Sequence, residues 1–134
     1  MAEFTTAFAV LAAHDLARAR TWYAEKLGLE PVMSLAETGT DIYAIGSARV
    51  TIYQTPSAGT AGSTALGIVV ADLRAAMAEL RSKGVVFEDY DLADGPTTVD
   101  GVAADDSGGM AAWFTDSEGN IVNLVQLPPG FPLP

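Results

Sequence analysis

The sequence of 134 residues contains no cysteine and a single histidine, His14. Without cysteine there is no disulfide, no thiol nucleophile and no thiolate metal site. One histidine is too few for a site of two histidines and one carboxylate within one chain. No apolar run is long enough to span a membrane, and the N-terminus lacks the pattern of a signal peptide. We therefore expect a cytoplasmic protein with no membrane partner.

Basic residues are also scarce: seven Lys and Arg face seventeen Asp and Glu, a formal net charge of −10. The average field of such a protein repels nucleic acid and anionic membrane surfaces, so neither is expected as a partner. The charge either serves solubility alone or attracts cationic ligands. With 49% hydrophobic residues, the chain has enough apolar surface for one folded domain.

An internal repeat organises the chain. Two short apolar runs each end in Asp-Leu and continue into helical spacing, and the aspartate is a natural N-cap. A glycine then provides the helix stop. The predicted helices lie between Asp15 and Gly28 in the first copy and between Asp72 and Gly84 in the second. The first helix is thus one residue longer than the second.

Alternating strands follow each helix, with hairpin turns at Gly46-Ser47 and at residues 116–119. The predicted strands are 30–34, 41–45 and 49–54 in the first copy, and 85–90, 111–115 and 120–127 in the second. This order predicts an α+β fold of two βαβββ modules. One domain, residues 1–134, would comprise module one (4–56), a linker (55–63) and module two (64–127). We expect a curved mixed sheet around a cavity, with the helices on its outer face.

Period-two alternation indicates which side chains face away from the helices. Val50 and Ile52 suit the helix-covered core, which leaves Thr51 and Tyr53 for the other face. The same argument applied to the remaining strands gives seven candidate ligand-binding residues: Phe8, Val10, Thr51, Tyr53, Ala65, Trp113 and Asn123. Such a mostly apolar and aromatic wall is typical of a small-molecule pocket, and equally of a plain core. The pattern leaves both possibilities open.

Three motifs in this order resemble one family. They are Asp15-Leu-Ala-Arg-Ala-Arg-Thr-Trp-Tyr23 with Leu27-Gly28, the second copy at Asp72-Leu73, and Asp116-Ser-Glu-Gly-Asn120-Ile-Val-Asn123-Leu124. Together they are similar to the vicinal oxygen chelate superfamily. It includes glyoxalase I, extradiol dioxygenases, fosfomycin-resistance enzymes and bleomycin-resistance proteins. The resemblance covers nearly the whole chain and implies the paired-module fold, but no single activity.

The resemblance also implies where a metal would be held. The family's ligand positions fall on Phe8, Ala65, Asn123 and either Thr51 or Tyr53. Phe and Ala have no donor atom, and His14 lies beside the helix cap, away from these positions. We therefore predict no metal, no other cofactor and no catalytic residue.

Residues 88–110 form an acidic stretch without Lys or Arg. Its acidic residues are Glu88, Asp89, Asp91, Asp94, Asp100, Asp105 and Asp106. Gly95-Pro96 and Gly108-Gly109 are candidate hinges. The stretch is either a solvated loop or a lid that attracts a cationic ligand over aromatic walls.

The leading hypothesis is a metal-free protein that sequesters a hydrophobic or cationic small molecule, as bleomycin-resistance proteins do. By that resemblance we expect a homodimer. The alternative is a lyase, isomerase or dioxygenase that uses the same cavity. It requires an unrecognised metal site or a cavity carboxylate acting as base, and no candidate residue is a carboxylate. A structural domain with a filled core is the third possibility.

Overall fold

A computed structural model describes residues 2–133, which form two compact units. The first unit extends to Ala61 and also contains Ser117–Gly119. The second contains the residues from Gly62 to Asp116 and from Asn120 onwards. Each unit has one four-stranded mixed sheet and one α-helix, so the predicted α+β class is confirmed.

The first unit contains β1 (Ala9–Ala13), α1 (Leu16–Trp22), β2 (Met33–Leu35), β3 (Thr40–Ile45) and β4 (Ala48–Gln54). Its strand order is β1-β4-β3-β2, with β1 parallel to β4 and the other pairs antiparallel. A π-helical turn, Tyr23–Leu27, continues α1, and a short 3-10 helix, Ala36–Thr38, follows β2.

The second unit contains β5 (Thr64–Val69), α2 (Leu73–Ser82), β6 (Ala103–Ala104), β7 (Met110–Thr115) and β8 (Ile121–Gln126). Its order, β5-β8-β7-β6, repeats that of the first unit, again with a parallel first pair. The internal repeat seen in the sequence is thus a repeat of topology. Within residues 2–133, no helix has the length and apolar character needed to cross a membrane.

Both helices begin as predicted, at an aspartate. The Asp15 carboxylate accepts a hydrogen bond from the Arg18 amide, and Asp72 accepts one from Ala75, each at 3.0 Å. A second acceptor was not predicted. The Gln54 side chain accepts from the Leu16 amide at 3.0 Å.

In the second unit Gln126 bonds the Leu73 amide in the same way, at 2.9 Å. The last residue of the strand parallel to β1 or β5 therefore satisfies one of the free N–H groups at each helix start.

The extra residue of the first helix is accommodated by the π-helical turn. Gly28 (φ 67°) ends this turn, and its amide donates to the Ala24 carbonyl at 3.1 Å. Gly84 (φ 90°) ends the second helix and donates to the Arg81 carbonyl at 3.0 Å. The two ends are equivalent because a π turn absorbs one additional residue without breaking the helix.

One predicted strand is wrong. Residues 85–90 carry the alternating burial of a strand, since Val85 and Phe87 are buried, but they form no named strand. The Glu88 amide donates to the Trp113 carbonyl at 2.8 Å, and β6 pairs further along β7, at Met110 and Ala111. Two short segments thus share the outer edge of β7, so neither makes a long ladder. Strand β2 is also shorter than predicted. The other predicted strands after the helices lie within one residue of their observed bounds.

Each sheet buries one face against its helix. The predicted inward residues Val50, Ile52, Val122 and Leu124 are all buried. In the first unit they pack with Leu11, Tyr23 and Tyr43, and in the second the core includes Leu73, Met77, Ala112 and Phe114. Alternation along the strands therefore predicted the buried face correctly.

Helix α1 carries two arginines that each hold a buried carboxylate. Arg18 binds Glu118 through Nε and one terminal nitrogen, at 2.8 and 2.9 Å. Arg20 binds Asp41 in the same manner at 2.9 and 3.0 Å. Such forked pairs have fixed geometry because the planar guanidinium matches both carboxylate oxygens. They fix α1 to β3 and to the loop around Glu118.

The hydroxyl of Tyr43 is buried and has no hydrogen-bond partner among residues 2–133. Burial raises the pKa of Tyr43 to about 12. An unsatisfied buried hydroxyl costs free energy. The variant Tyr43→Phe should therefore leave the free energy of unfolding unchanged or increase it by about 1 kcal/mol. Urea unfolding tests this, with Tyr53→Phe as the exposed control. A loss greater than about 1 kcal/mol would mean that the hydroxyl has a stabilising partner.

Candidate ligand-binding surface

Each sheet has an open face, by which we mean the side that points away from its own helix. On the first sheet, Val10 and Thr51 are register partners, and Tyr53 lies opposite Ala12 one row further on. Val10 is 55% exposed and Tyr53 39%. Phe8 immediately precedes β1 and is exposed. Four of the seven predicted ligand residues thus share this open face or its edge.

The open face of the second sheet brings together Trp113 and Asn123, which are register partners, with Gly67 on the other side of Asn123. The Trp113 indole N–H donates to the Thr64 hydroxyl at 3.1 Å. The Tyr90 ring meets the Trp113 ring edge-on, with centroids 5.5 Å apart. A partly exposed indole is therefore held in one orientation.

Ala65 is not aligned with this row. The pairing of β5 with β8 shifts register between Thr64 and Leu66, which leaves Ala65 exposed and without a cross-strand partner. The sequence pattern could not reveal the shift, because a bulge changes the phase of alternation without changing residue types.

Gly67 makes room for the amide of Asn123. A Cβ atom at position 67 would lie 2.8 Å from the Asn123 side-chain oxygen, closer than such contacts occur. The Asn123 amide can occupy this place only because residue 67 has no side chain. The polar group at the centre of this face therefore depends on a neighbouring glycine.

The variant Gly67→Ala should move the Asn123 amide while changing the free energy of unfolding by less than about 1 kcal/mol, because the contact is with the end of a side chain. The NMR signals of the Asn123 side-chain NH₂ group report the movement. Gly62→Ala is the matched control, since nothing lies within 4 Å of its added Cβ. Unchanged Asn123 signals in Gly67→Ala would contradict the assignment.

A groove of about 280 Å³ adjoins this open face. Ala111 and Val125 of the open face line it, together with Met110, Asp105 and Pro128. Met110 and Pro128 were not among the predicted site residues. Their position follows from the end of β7 and the chain after β8, which alternation alone does not place.

The acidic stretch forms ordered turns that use some of its own carboxylates. Asp89 accepts from the Thr98 hydroxyl and from the Gly101 amide, both at 2.8 Å, and these bonds lower the pKa of Asp89. Asp105 accepts from the hydroxyl and the amide of Ser107, which lower the pKa of Asp105. All seven acidic side chains are exposed. A negative field therefore surrounds this part of the second unit, since both carboxylates remain ionised at neutral pH.

The Asp116–Asn120 turn, the third motif of the sequence, has a structural role. The Asn120 amide and side-chain nitrogen donate to the two Asp116 carboxylate oxygens, each at 2.9 Å. These bonds close the turn between β7 and β8.

The positions that correspond to the family's metal ligands do not offer a suitable donor set in this chain. Phe8 and Ala65 have no donor atom, and Asn123, Thr51 and Tyr53 offer only neutral amide or hydroxyl oxygens. Divalent transition metals prefer imidazole, thiolate and carboxylate ligands. Across residues 2–133, no three His, Cys, Asp or Glu side chains lie close enough together to hold a metal ion.

A comparison with models of protein families identifies the family of this chain. Residues 5–124 match the model of the Glyoxalase/Bleomycin resistance protein/Dioxygenase superfamily. The chain belongs to this superfamily. The match spans both βαβββ modules, so the repeat and the three motifs have a common explanation. The fold expected from the resemblance is confirmed.

Solved structures of the superfamily agree. A bleomycin resistance determinant encoded on transposon Tn5 superposes with a TM-score of 0.65 at 21% identity, covering 92% of this chain and 98% of that one. A glyoxalase/bleomycin resistance protein/dioxygenase from Nocardioides gives 0.66 at 15% identity, covering 98% and 88%.

A third structure, glyoxalase/bleomycin resistance protein from Catenulispora acidiphila, gives a TM-score of 0.62 at 23% identity, covering 91% and 97%. At these identities the likeness concerns the fold alone. No curated protein matches the sequence. Superfamily membership therefore leaves the activity to be argued from the site.

Proposed function

We propose that the protein binds a hydrophobic or cationic small molecule at the open faces of its sheets, stoichiometrically and without a metal. One observation carries the proposal: Trp113 is partly exposed, yet fixed by Thr64 and Tyr90, beside the Asn123 amide. A fixed aromatic ring loses little conformational entropy when a ligand stacks on it. The nearby amide supplies directional hydrogen bonds.

Charge supports a cationic ligand. The net charge is −10, and seven of the seventeen acidic residues lie within residues 88–110, where no basic residue occurs. An aromatic face attracts a cation, and surrounding negative charge raises the local concentration of cations. Trp113 and Tyr90 lie in the same unit as this acidic stretch.

Binding without turnover is favoured by the chemistry of the seven candidate residues. None of them is a carboxylate, a histidine or a lysine, so none is the carboxylate base on which a metal-free lyase or isomerase in this cavity would depend. Membership of a superfamily whose description includes bleomycin resistance proteins is in keeping with a binding function. A lyase, isomerase or dioxygenase remains the rival, because the superfamily includes enzymes. Elemental analysis distinguishes the two, since one divalent metal per chain would favour the enzyme.

We also propose that the protein forms a homodimer. The first unit exposes a group of large apolar side chains, which are Phe8, Val10, Val32, Met33 and Leu35. Large apolar side chains that are exposed together commonly mark an interface. Analytical ultracentrifugation should give twice the mass of the chain, 13.9 kDa. A monomer at micromolar concentration would contradict the dimer.

Calorimetric titration with N-methylacridinium, an aromatic cation, tests the binding function in the presence of EDTA. The uncharged isostere acridine serves as the matched ligand at neutral pH. We expect saturable binding of the cation, and binding of acridine weaker by about fivefold, as expected for a cation–π contribution of about 1 kcal/mol. The variant Trp113→Ala should lose binding of the cation. Equal heats for the wild type and Trp113→Ala would contradict the proposed site.

A further inference from the structure

A second groove, of about 360 Å³, lies on the helix side of the second sheet. It runs between α2 and the segment Asp100–Val102. Met77 and Val102, both almost fully buried, contribute apolar atoms, and Arg74 and Arg81 lie beside them on α2. The open face with Trp113 belongs to the opposite side of the same sheet, so the two surfaces are separate.

Arg81 is held in place within this groove. One of its terminal nitrogens donates to the Asp100 carbonyl at 3.0 Å, and its guanidinium carbon lies 5.3 Å from the centre of the Phe87 ring. A Cβ atom at Gly101 would come within 3.2 Å of the same nitrogen. Glycine at 101 therefore lets the backbone approach the arginine closely.

The backbone beside Arg81 is unusual. Asp100 has φ of 51°, the only positive value for a residue other than glycine in the part of the chain that the structure describes. Such conformations cost free energy and persist where the surroundings impose them. Here Asp89 helps to impose it, because its carboxylate accepts the Gly101 amide. Arg81 and the backbone beside it are therefore preorganised by contacts within the chain.

Arg74 differs from Arg81, because its guanidinium makes no hydrogen bond or ion pair with residues 2–133. It lies seven residues before Arg81, so both occur on one side of α2 about two turns apart. Only seven basic residues occur in this acidic chain, and two of them line the same groove. A free cation and a fixed one that line the same groove, together with apolar atoms, provide anchors for an anion with an apolar part.

We propose that this groove is a second ligand site, which binds a small monoanionic organic acid. The carboxylate pairs with Arg74 and with the remaining donors of Arg81. The apolar part lies along the aliphatic stems of the two arginines and the small exposed edges of Met77 and Val102. Asp100 and Asp89 lie close by, and the net charge of the protein is −10. Repulsion from these charges rises with the charge of the ligand, so the groove selects a monoanion over phosphate.

Benzoate is the test ligand, and inorganic phosphate is the comparison at equal ionic strength. In heteronuclear NMR titrations, the Nε–H signals of Arg74 and Arg81 and the Gly101 amide should shift saturably with benzoate. Phosphate should bind at least about tenfold more weakly, because it lacks the apolar part and carries more charge. The Trp113 indole signal should stay in place throughout, which also separates this site from the open face.

Arg74→Gln should weaken benzoate binding about tenfold, the loss of one charge-assisted hydrogen-bonded pair. Arg49→Gln is the matched control. Arg49 is exposed and lies in the first unit, so its substitution removes the same charge away from the groove. It should leave the affinity unchanged. Shifts that do not saturate, equal effects of Arg74→Gln and Arg49→Gln, or phosphate binding as tight as that of benzoate would each overturn the proposal.

Discussion

Glu118→Ala should lower the free energy of unfolding by about 3 kcal/mol at neutral pH, as expected when one partner of a buried ion pair is removed. The residue is only 4% exposed, and its carboxylate accepts from the Asp15 amide at 2.9 Å as well as from Arg18. Alanine leaves that amide without its acceptor. Arg18 is half-exposed and regains water, so the loss stays at the lower end for a buried pair.

Chemical denaturation measures this loss, and Glu25→Ala is the control. Glu25 is exposed and lies in the π-helical turn, so the control removes the same charge without a buried partner. Its effect should stay within about 0.5 kcal/mol. Similar losses in the two variants would show that the Glu118 contacts contribute little.

The same carboxylate gives stability a dependence on pH. Burial alone would raise the pKa of Glu118. The hydrogen bonds from Arg18, the Asp15 amide and Ser117 outweigh it and lower the pKa from 4.5 to about 2. A lowered pKa in the folded state means that the stabilisation is complete above pH 4.5 and is lost as the pH falls towards 2.

The free energy of unfolding that Glu118 contributes should fall by about 2 kcal/mol over this pH range. This figure is reduced for solvent screening, because Arg18 is half-exposed. The fall should be absent from Glu118→Gln. If the stability of Glu118→Gln fell equally steeply at acid pH, the pH dependence would come from other carboxylates.

Substitution of two neighbouring aromatic residues on β7 should affect different properties, the stability of the protein in one case and ligand binding in the other. Phe114→Ala should cost about 3 to 5 kcal/mol of stability, because the ring is fully buried and its removal leaves a cavity. Its centroid lies 5.7 Å from that of Phe87. Trp113→Ala should cost only about 2 kcal/mol, for one hydrogen bond and one aromatic contact, yet remove ligand binding.

Urea unfolding and N-methylacridinium titration on both variants test this contrast. Phe114→Ala should still bind the ligand under conditions in which it is folded. If Trp113→Ala were the less stable protein, or if Phe114→Ala alone lost binding while folded, the two faces of β7 would be assigned the wrong way round.

Local signals in the sequence predicted much of the fold. Asp15 and Asp72 mark the helix starts because a short side-chain acceptor serves the free amides of the first turn. Alternation along the strands correctly predicted that Val50 and Ile52 are buried. It also correctly placed Trp113 and Thr115 on the opposite, more exposed face of their sheet. These features depend on residues close together in the chain.

What the sequence did not reveal depends on distant partners. Arg18 and Glu118 are separated by 100 positions, and Gln126 reaches a helix start 53 residues earlier. No local pattern marks such pairs. The bulge at Ala65 and the shared edge of β7 were missed for the same reason, since the register of a ladder is set by its neighbours.

We propose that the open face around Trp113 binds an aromatic cation without a metal. Titrating EDTA-treated protein with N-methylacridinium while recording the two tryptophan indole N–H signals tests it most directly, with Trp22→Phe providing the assignment. We expect a saturable shift of the Trp113 signal and a stationary Trp22 signal. No saturable shift at Trp113, or a shift that appears only after a divalent metal is restored, would contradict it.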